Sequence, residues 1–160
     1  MNKKIGIIAL LIIAAGIFFY SDIGYMLSPG SYAFAEIYEL NEKESVVIEA
    51  IQTFKKNHPE YAVPSPLTLT DGRINEQDYW YHIYFYYKEE NLILNTWVRQ
   101  VYYGSKAGTT EFAFVGINHG LTLGNWKYIN DDIKRGEKKE QLALFETRIL
   151  NPITTLLHAR

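Results

Sequence analysis

The stretch that decides the fold is residues 78–97, DYWYHIYFYYKEENLILNTW. Aromatic residues occupy most positions from Tyr79 to Tyr87, and branched residues follow the polar interruption KEEN. Aromatic and branched side chains favour strands, and a short polar break between two such runs is typical of a hairpin. The stretch therefore predicts two antiparallel strands, over Tyr79–Lys88 and Leu92–Tyr103.

Counting outward from a two-residue loop at Glu89 and Glu90 predicts the register of this hairpin. Side chains alternate across a strand, so each side of the hairpin collects every second residue. One side is predicted to be core and contains Tyr81, Ile83, Phe85, Tyr87, Leu92, Leu94, Thr96 and Val98. The opposite side, called the second face below, carries the candidate contact residues Trp80, His82, Tyr84, Asn95, Trp97 and Arg99.

The second face mixes flat aromatic area with hydrogen-bonding groups and one guanidinium, a combination that suits the binding of a partner. The competing interpretation is that a loop such as Gly120–Asn130 covers this face, and that the tyrosine hydroxyls simply reach water. A third strand is predicted over Thr109–Asn118. Uniform alternation along it would place Ala113, Val115 and Ile117 on the core side, and Phe112 and Phe114 beside the second face.

A helix is predicted before these strands. Asn41 is a suitable cap with Glu44 three residues later, and Pro59 stops the helix near Asn57 or His58. The apolar residues at helical spacing are Val47, Ala50, Ile51 and Phe54.

A second helix is predicted over Glu137–Leu150, with an apolar stripe at Leu142, Phe145 and Ile149. The Asn-Pro dipeptide at 151–152 is expected to end it. The order helix, strands, helix predicts an α+β domain: an antiparallel sheet of three to five strands with both helices on one face. Residues 33–40 are ambiguous between strand and helical turn, and residues 67–70 are a candidate short strand.

An apolar run without charge extends from Ile5 to Tyr20, IGIIALLIIAAGIFFY. Sixteen helical residues rise about 24 Å, less than a hydrocarbon core of about 30 Å, and continuing to Leu27 supplies the missing length. The run therefore predicts a transmembrane signal anchor over residues 5–27. A cleaved signal peptide and a buried core helix are the alternatives, although the small-residue site at residues 33–35 lies far beyond the run.

The charges on either side of this run predict its orientation. Lys3 and Lys4 precede it and acidic residues follow it, which places the amino terminus in the cytoplasm. Residues 1–30 are thus predicted to be a cytoplasmic tip, a single anchor and a linker, and residues 31–160 an extracytoplasmic domain. The expected location is the cytoplasmic membrane, crossed once, with the carboxy-terminal domain outside the cytoplasm.

Composition and motifs exclude several chemistries. The chain contains no cysteine, which excludes disulfides, cysteine-ligated metals and thiol nucleophiles. A formal net charge of −2 at pH 7 argues against nucleic acid as a partner. No phosphate-binding loop, serine-hydrolase elbow or zinc-protease motif occurs. We therefore predict no cofactor and no metal; a histidine-centred site would have to use His82 and His119 with Asp78 or Asp71.

Three functions are compatible with these patterns, and the first is favoured. It is a membrane-anchored extracytoplasmic protein that binds a protein partner through the second face; one version is an immunity-type protein that neutralises an envelope toxin. The second is an envelope-associated hydrolase with a histidine-centred site. The third is a structural subunit of a membrane complex.

Overall fold

The computed structural model describes residues 32, 34–102, 104 and 106–159. From Phe34 onward the chain forms one compact unit. Its strands and helices are β1 (Glu36–Leu40), α1 (Glu44–Asn57), a 3-10 turn (Pro59–Tyr61), β2 (Tyr81–Tyr87), β3 (Leu92–Gln100), β4 (Thr110–His119), β5 (Trp126–Tyr128), α2 (Arg135–Phe145), a π turn (Glu146–Leu150) and α3 (Asn151–His158).

The strands form one antiparallel sheet in the order β1, β4, β3, β2. The amino-terminal part of β4 pairs with β1, and residues Gly116–Asn118 of β4 pair with β5. The predicted α+β class with an antiparallel sheet and two helical segments is confirmed, because α2, the π turn and α3 follow one another without a break. The ambiguous stretch before α1 is a strand.

The β2–β3 hairpin has the predicted register along its whole length. Seven residue pairs connect the two strands, and the innermost pair is Tyr87 with Leu92. At the turn, the Asn91 N–H donates to the Lys88 carbonyl at 3.3 Å. Asn91 has a φ of 50°, a left-handed conformation that asparagine adopts more readily than most residues.

A β-bulge interrupts the regular alternation of β4. Asn95 pairs with Gly116, but the next residue, Thr96, pairs with Phe114, so Val115 is an extra residue in β4. A bulge of this kind shifts which residues point to each face of the sheet. Uniform alternation therefore does not hold along β4.

The predicted orientation of Phe112 and Phe114 is wrong because of this bulge. Both belong to the core, where their ring centroids lie 5.4 and 4.7 Å from that of Phe145. Ile117, beyond the bulge, is in the core as predicted. Ala113 lies opposite Trp97 and so belongs to the second face.

Helix α1 buries the predicted stripe, and it ends at Asn57 as expected. The predicted cap at Asn41 is wrong. The helix begins at Glu44. The Glu44 N–H donates a hydrogen bond to the side-chain oxygen of Gln100, a residue of β3, at 2.8 Å. A tertiary contact thus satisfies a terminal N–H that local capping would otherwise have to satisfy.

The predicted end of the second helix at residues 151–152 is also wrong. The backbone stays helical from α2 through the π turn into α3. Pro152 lies in the first turn of α3, directly after the widened π turn, where a missing N–H and a proline ring are accommodated. The continuation brings Ile153 and Leu157 into the core cluster, where they are 0% and 7% exposed.

Both helical segments share one core cluster with the sheet. Phe54 of α1 packs edge-on against Phe85 at 6.3 Å, and Phe145 of α2 stacks on Phe114. The hairpin residues in this cluster are those predicted for the core side: Ile83, Phe85, Tyr87, Leu92, Leu94 and Val98. The second face is therefore the side of the sheet opposite to this cluster.

Two further predictions concern the loops. Residues 67–70 do not form a strand, and the nearby Gly72 makes an isolated bridge to His82. The region 120–130, expected to be a loop, contains the short strand β5.

The predicted anchor, residues 5–27, lies outside the described residues. Among the residues that are described, none of the helices has both the length and the apolar character needed to cross a membrane.

Candidate functional site

The second face brings the six candidate residues together on β2, β3 and the residue before β2. His82 lies opposite Trp97, and Tyr84 opposite Asn95. These residues fall into two groups that differ in exposure. Trp80 and His82 are 5% and 8% exposed, whereas Tyr84, Asn95 and Trp97 are only partly buried.

Arg99 is also partly buried, but its charged group is paired. Its Nε donates to Glu111 Oε2 at 2.8 Å, and the two side chains are 11% and 2% exposed. Its guanidinium carbon also lies 4.6 Å from the ring centroid of Trp80. A carboxylate and an aromatic face therefore both compensate this largely covered cation.

His82 and Asp78 hold in place the segment that leads into β2. His82 Nε2 lies 2.9 Å from Asp78 Oδ2, and the ring packs edge-on against Trp97 at 5.0 Å. The Asp78 carboxylate also accepts the N–H groups of Trp80 and Ile74, at 3.0 and 3.2 Å. Burial raises the pKa of Asp78, but these two N–H groups and His82 together lower that pKa below its usual value.

The side chains of Asp71 and Lys55 form hydrogen bonds with backbone groups at the outer edge of β2. Asp71 Oδ1 accepts the Tyr84 N–H at 3.1 Å, Lys55 Nζ donates to the Tyr84 carbonyl at 2.9 Å, and Lys55 and Asp71 bond each other at 2.5 Å. Gly72 exchanges two backbone hydrogen bonds with His82. These bonds satisfy groups that an added strand would use, and they hold residues 68–74 beside the sheet.

An open groove of about 200 Å³ lies between these residues and β5. It is lined by Leu69, Tyr84, Asn95, Trp97, Val115, Gly116, Trp126, Lys127 and Tyr128. A second hollow of about 230 Å³ adjoins it and shares Leu69 and Tyr84. We call the first of these the groove.

The bulge and Gly116 make the floor of the groove. Gly116 lies opposite Asn95 and carries no side chain, and the extra residue Val115 lines the same space. The Oδ1 atom of Asn95 is buried and has no hydrogen-bond partner among the described residues. An unsatisfied buried acceptor costs about 1–3 kcal/mol, and because this atom has no accessible surface, a group in the open groove does not reach it.

Tyr84 and Trp126 form two sides of the groove, with ring centroids 6.3 Å apart and planes inclined by 46°. Burial, together with the negative charge of Asp71, raises the pKa of Tyr84. Its hydroxyl therefore remains protonated at neutral pH and offers both a donor and an acceptor.

The residues of a histidine-centred site are dispersed. His82 pairs with Trp97 and His119 with Leu92, towards opposite ends of β3. His119 instead lies 3.8 Å from Glu137. Within the described part of the chain, no three His, Asp or Glu side chains are grouped so that they could hold a metal ion.

Sequence reasoning missed part of the groove lining. Leu69 and Tyr128 carry no local signal, because only the packing of residues 68–74 and of β5 brings them to the second face. Trp126 belongs to the region Gly120–Asn130 that was considered as a cover for the second face, and it lines the groove. No family model, curated protein or solved structure matches the chain.

Proposed function

We propose that this is a membrane-anchored, extracytoplasmic binding protein that holds a protein partner on its second face. The groove is the observation that carries the proposal. It is open, it is lined by aromatic side chains, and it lies on the side of the sheet away from the helices. Aromatic residues around a concave pocket are typical centres of binding energy in protein interfaces.

The anchor is part of the proposal and rests on the sequence. The run from Ile5 to Tyr20 contains no charge, and Lys3 and Lys4 precede it. A tethered domain meets partners at the membrane at a high effective concentration, so a modest groove can be sufficient. An immunity-type protein that neutralises an envelope toxin is one concrete version.

A hydrolase centred on His82 has less support from the geometry. The residue is 8% exposed, and its ring is held between Asp78 and Trp97. The groove, by contrast, offers an accessible surface.

The first test is photo-crosslinking in the native membrane. A photoreactive residue in place of Leu69, which lines the groove, is expected to capture a partner protein. The matched control replaces Tyr79, which is 59% exposed and does not line the groove. Identical products from both positions, or none from Leu69, would contradict the proposal.

Alanine variants then test whether the same surface supplies the affinity. Tyr84→Ala combined with Trp126→Ala is expected to weaken the captured partner at least tenfold, since aromatic anchors commonly contribute about 2 kcal/mol or more. Tyr79→Ala combined with Tyr102→Ala removes two exposed aromatic rings, 59% and 70% exposed, and should leave affinity unchanged. Equal effects of the two pairs would argue against the groove.

A further inference from the structure

Three exposed apolar side chains lie together at the edge of the sheet where the compact unit begins. Phe34, Ile37 and Tyr128 are 43%, 38% and 39% exposed. The Phe34 ring stacks on the Tyr128 ring, with centroids 5.8 Å apart and planes inclined by 25°. We call these three residues the entry patch. Neighbouring apolar side chains that stay exposed are typical of sites that contact another protein or a membrane.

The pairing of the sheet explains why these residues are neighbours. Strands β1 and β5 both pair with β4, β1 along its amino-terminal part and β5 beyond the bulge. Ile37 lies opposite Ala113 and Tyr128 lies opposite Gly116, and both of these β4 residues are on the second face. The entry patch therefore forms the outer border of the second face.

Two hydrogen bonds fix residues 34 and 35 beside β5. The Asn130 N–H donates to the Phe34 carbonyl at 3.1 Å, and the Asn130 side chain donates to the Ala35 carbonyl at 2.8 Å. Phe34 is thus held next to Tyr128 and does not extend away from the domain. The entry patch is a built surface on both of its chain segments.

The sequence limits how far this patch can be from the predicted anchor. Residues 28–33 separate Phe34 from Leu27, where the predicted anchor ends. Such a segment spans at most about 20 Å when fully extended. The interfacial layer of a bilayer extends about 5–7 Å beyond the hydrocarbon core on each side. An anchor that spans the bilayer therefore keeps Phe34 within reach of the membrane surface.

The charges around the patch do not favour one sign. Lys127 and Lys134 are exposed, and so are Asp131 and Asp132. These four charges offset one another, so they do not form the basic cluster that selects anionic lipids. Aromatic side chains are favoured at the membrane–water interface without such a charge. The chemistry of the patch suits the head-group region of a phospholipid bilayer of ordinary composition.

We infer that the entry patch docks on the surface of a phospholipid bilayer, with the Phe34 and Tyr128 rings among the head groups. The inference rests on the proposed anchor and goes beyond the proposed binding of a partner. Tyr128 also lines the groove. Docking would therefore bring the groove to the membrane surface, where a membrane-associated partner is within reach.

The test uses the full-length chain with one copy in each phosphatidylcholine nanodisc, so that lipid is the only partner present. Because the chain contains no cysteine, Ile37→Cys gives a single attachment point for a nitroxide label and leaves both aromatic rings in place. Oxygen concentrates in lipid, whereas a nickel chelate stays in water. The label at residue 37 is expected to be relaxed more by oxygen and less by the chelate than a label on Tyr79→Cys. Tyr79 is the matched control because it is 59% exposed and lies outside the patch.

Variants of the patch identify the side chains responsible. Phe34→Ser combined with Tyr128→Ser is expected to abolish the protection of the label at residue 37 from the chelate. Phe34→Trp combined with Tyr128→Trp should retain this protection, because tryptophan is also favoured at the interface. Tyr79→Ser combined with Tyr102→Ser removes two exposed rings elsewhere and should retain it as well.

The outcomes separate this inference from the proposed function. A label at residue 37 that is as accessible to the chelate as the label at residue 79 would overturn the docking, as would unchanged protection in the serine pair. If the chain inserts into the nanodisc and the patch is in water, the anchor stands and only the docking is removed. Failure of the chain to insert would remove the anchor and the docking together, while capture of a partner at Leu69 would still support the groove.

Discussion

Arg99 and Glu111 form an ion pair in which the two side chains are 11% and 2% exposed. Removal of either partner is expected to destabilise the domain, because the charge of the other is left buried and uncompensated. Arg99 also lies against the Trp80 ring. Substitution of Arg99 would thus disturb the fold as well as any contact surface, and Tyr84 and Trp126 are better probes of binding.

Glu111→Gln is therefore expected to destabilise the domain by about 3 kcal/mol. Glu39, directly opposite Glu111 on β1, is the matched control. Its ion pair with Lys106 is open to solvent, with side chains 36% and 50% exposed, so Glu39→Gln should cost less than about 1 kcal/mol. Urea unfolding of both variants measures the difference, and equal losses would contradict this assignment.

Among the elements, the edge strand β5 requires a glycine on its neighbour. A Cβ added at Gly116 would overlap the backbone carbonyl of Lys127, a group that cannot rotate away. The close approach of β5 to β4 therefore depends on the absence of a side chain at residue 116.

Gly116→Ala should destabilise the domain by about 1–3 kcal/mol, since β5 must shift to relieve the overlap. Gly136→Ala is the control, and it is expected to raise the stability of the domain rather than lower it. Gly136 lies in α2, a Cβ there meets nothing within 4 Å, and alanine should stabilise the helix by up to about 1 kcal/mol. Thermal melting of both variants checks the two signs; a neutral Gly116→Ala would show that β5 is loosely held.

The continuation of the last helix through Pro152 gives a second prediction for the elements. Ile153 is 0% exposed in the core, so Ile153→Ala should cost about 2–4 kcal/mol. Leu156, on the same helix α3, is only partly buried, and Leu156→Ala should cost clearly less. Equal losses in urea unfolding would indicate that α3 does not pack on the core.

The whole molecule has two unlike faces on one sheet. The helices and the large aromatic core residues occupy one face, and the groove lies on the other. An open concave surface on a small domain that the sequence predicts to be tethered suits capture of a partner at the membrane.

The predicted orientation can be measured because the chain contains no cysteine. A cysteine at the exposed Ala159 should react with a membrane-impermeant maleimide in intact cells, since the domain is predicted to lie outside the cytoplasm. A cysteine at Asn2 should react only after the cells are opened. Labelling of both sites in intact cells, or of neither, would reject the single-pass topology.

The sequence by itself determined the features that neighbouring residues decide. A polar tetrapeptide between two aromatic and branched runs set the register of the hairpin, because strand alternation leaves few alternatives once the turn is placed. The spacing of Val47, Ala50, Ile51 and Phe54 likewise predicted the buried side of α1. The apolar run at residues 5–27 remains a prediction from composition.

Only the tertiary structure decided the remaining features, because each depends on residues that are distant in the chain. Gln100, rather than Asn41, satisfies the start of α1. The helix continues through Pro152 because a π turn precedes it and apolar residues beyond it join the core. The bulge at Val115 became visible only when β4 was paired with β3, and the groove exists because that bulge, Gly116 and β5 meet beside residues 68–74.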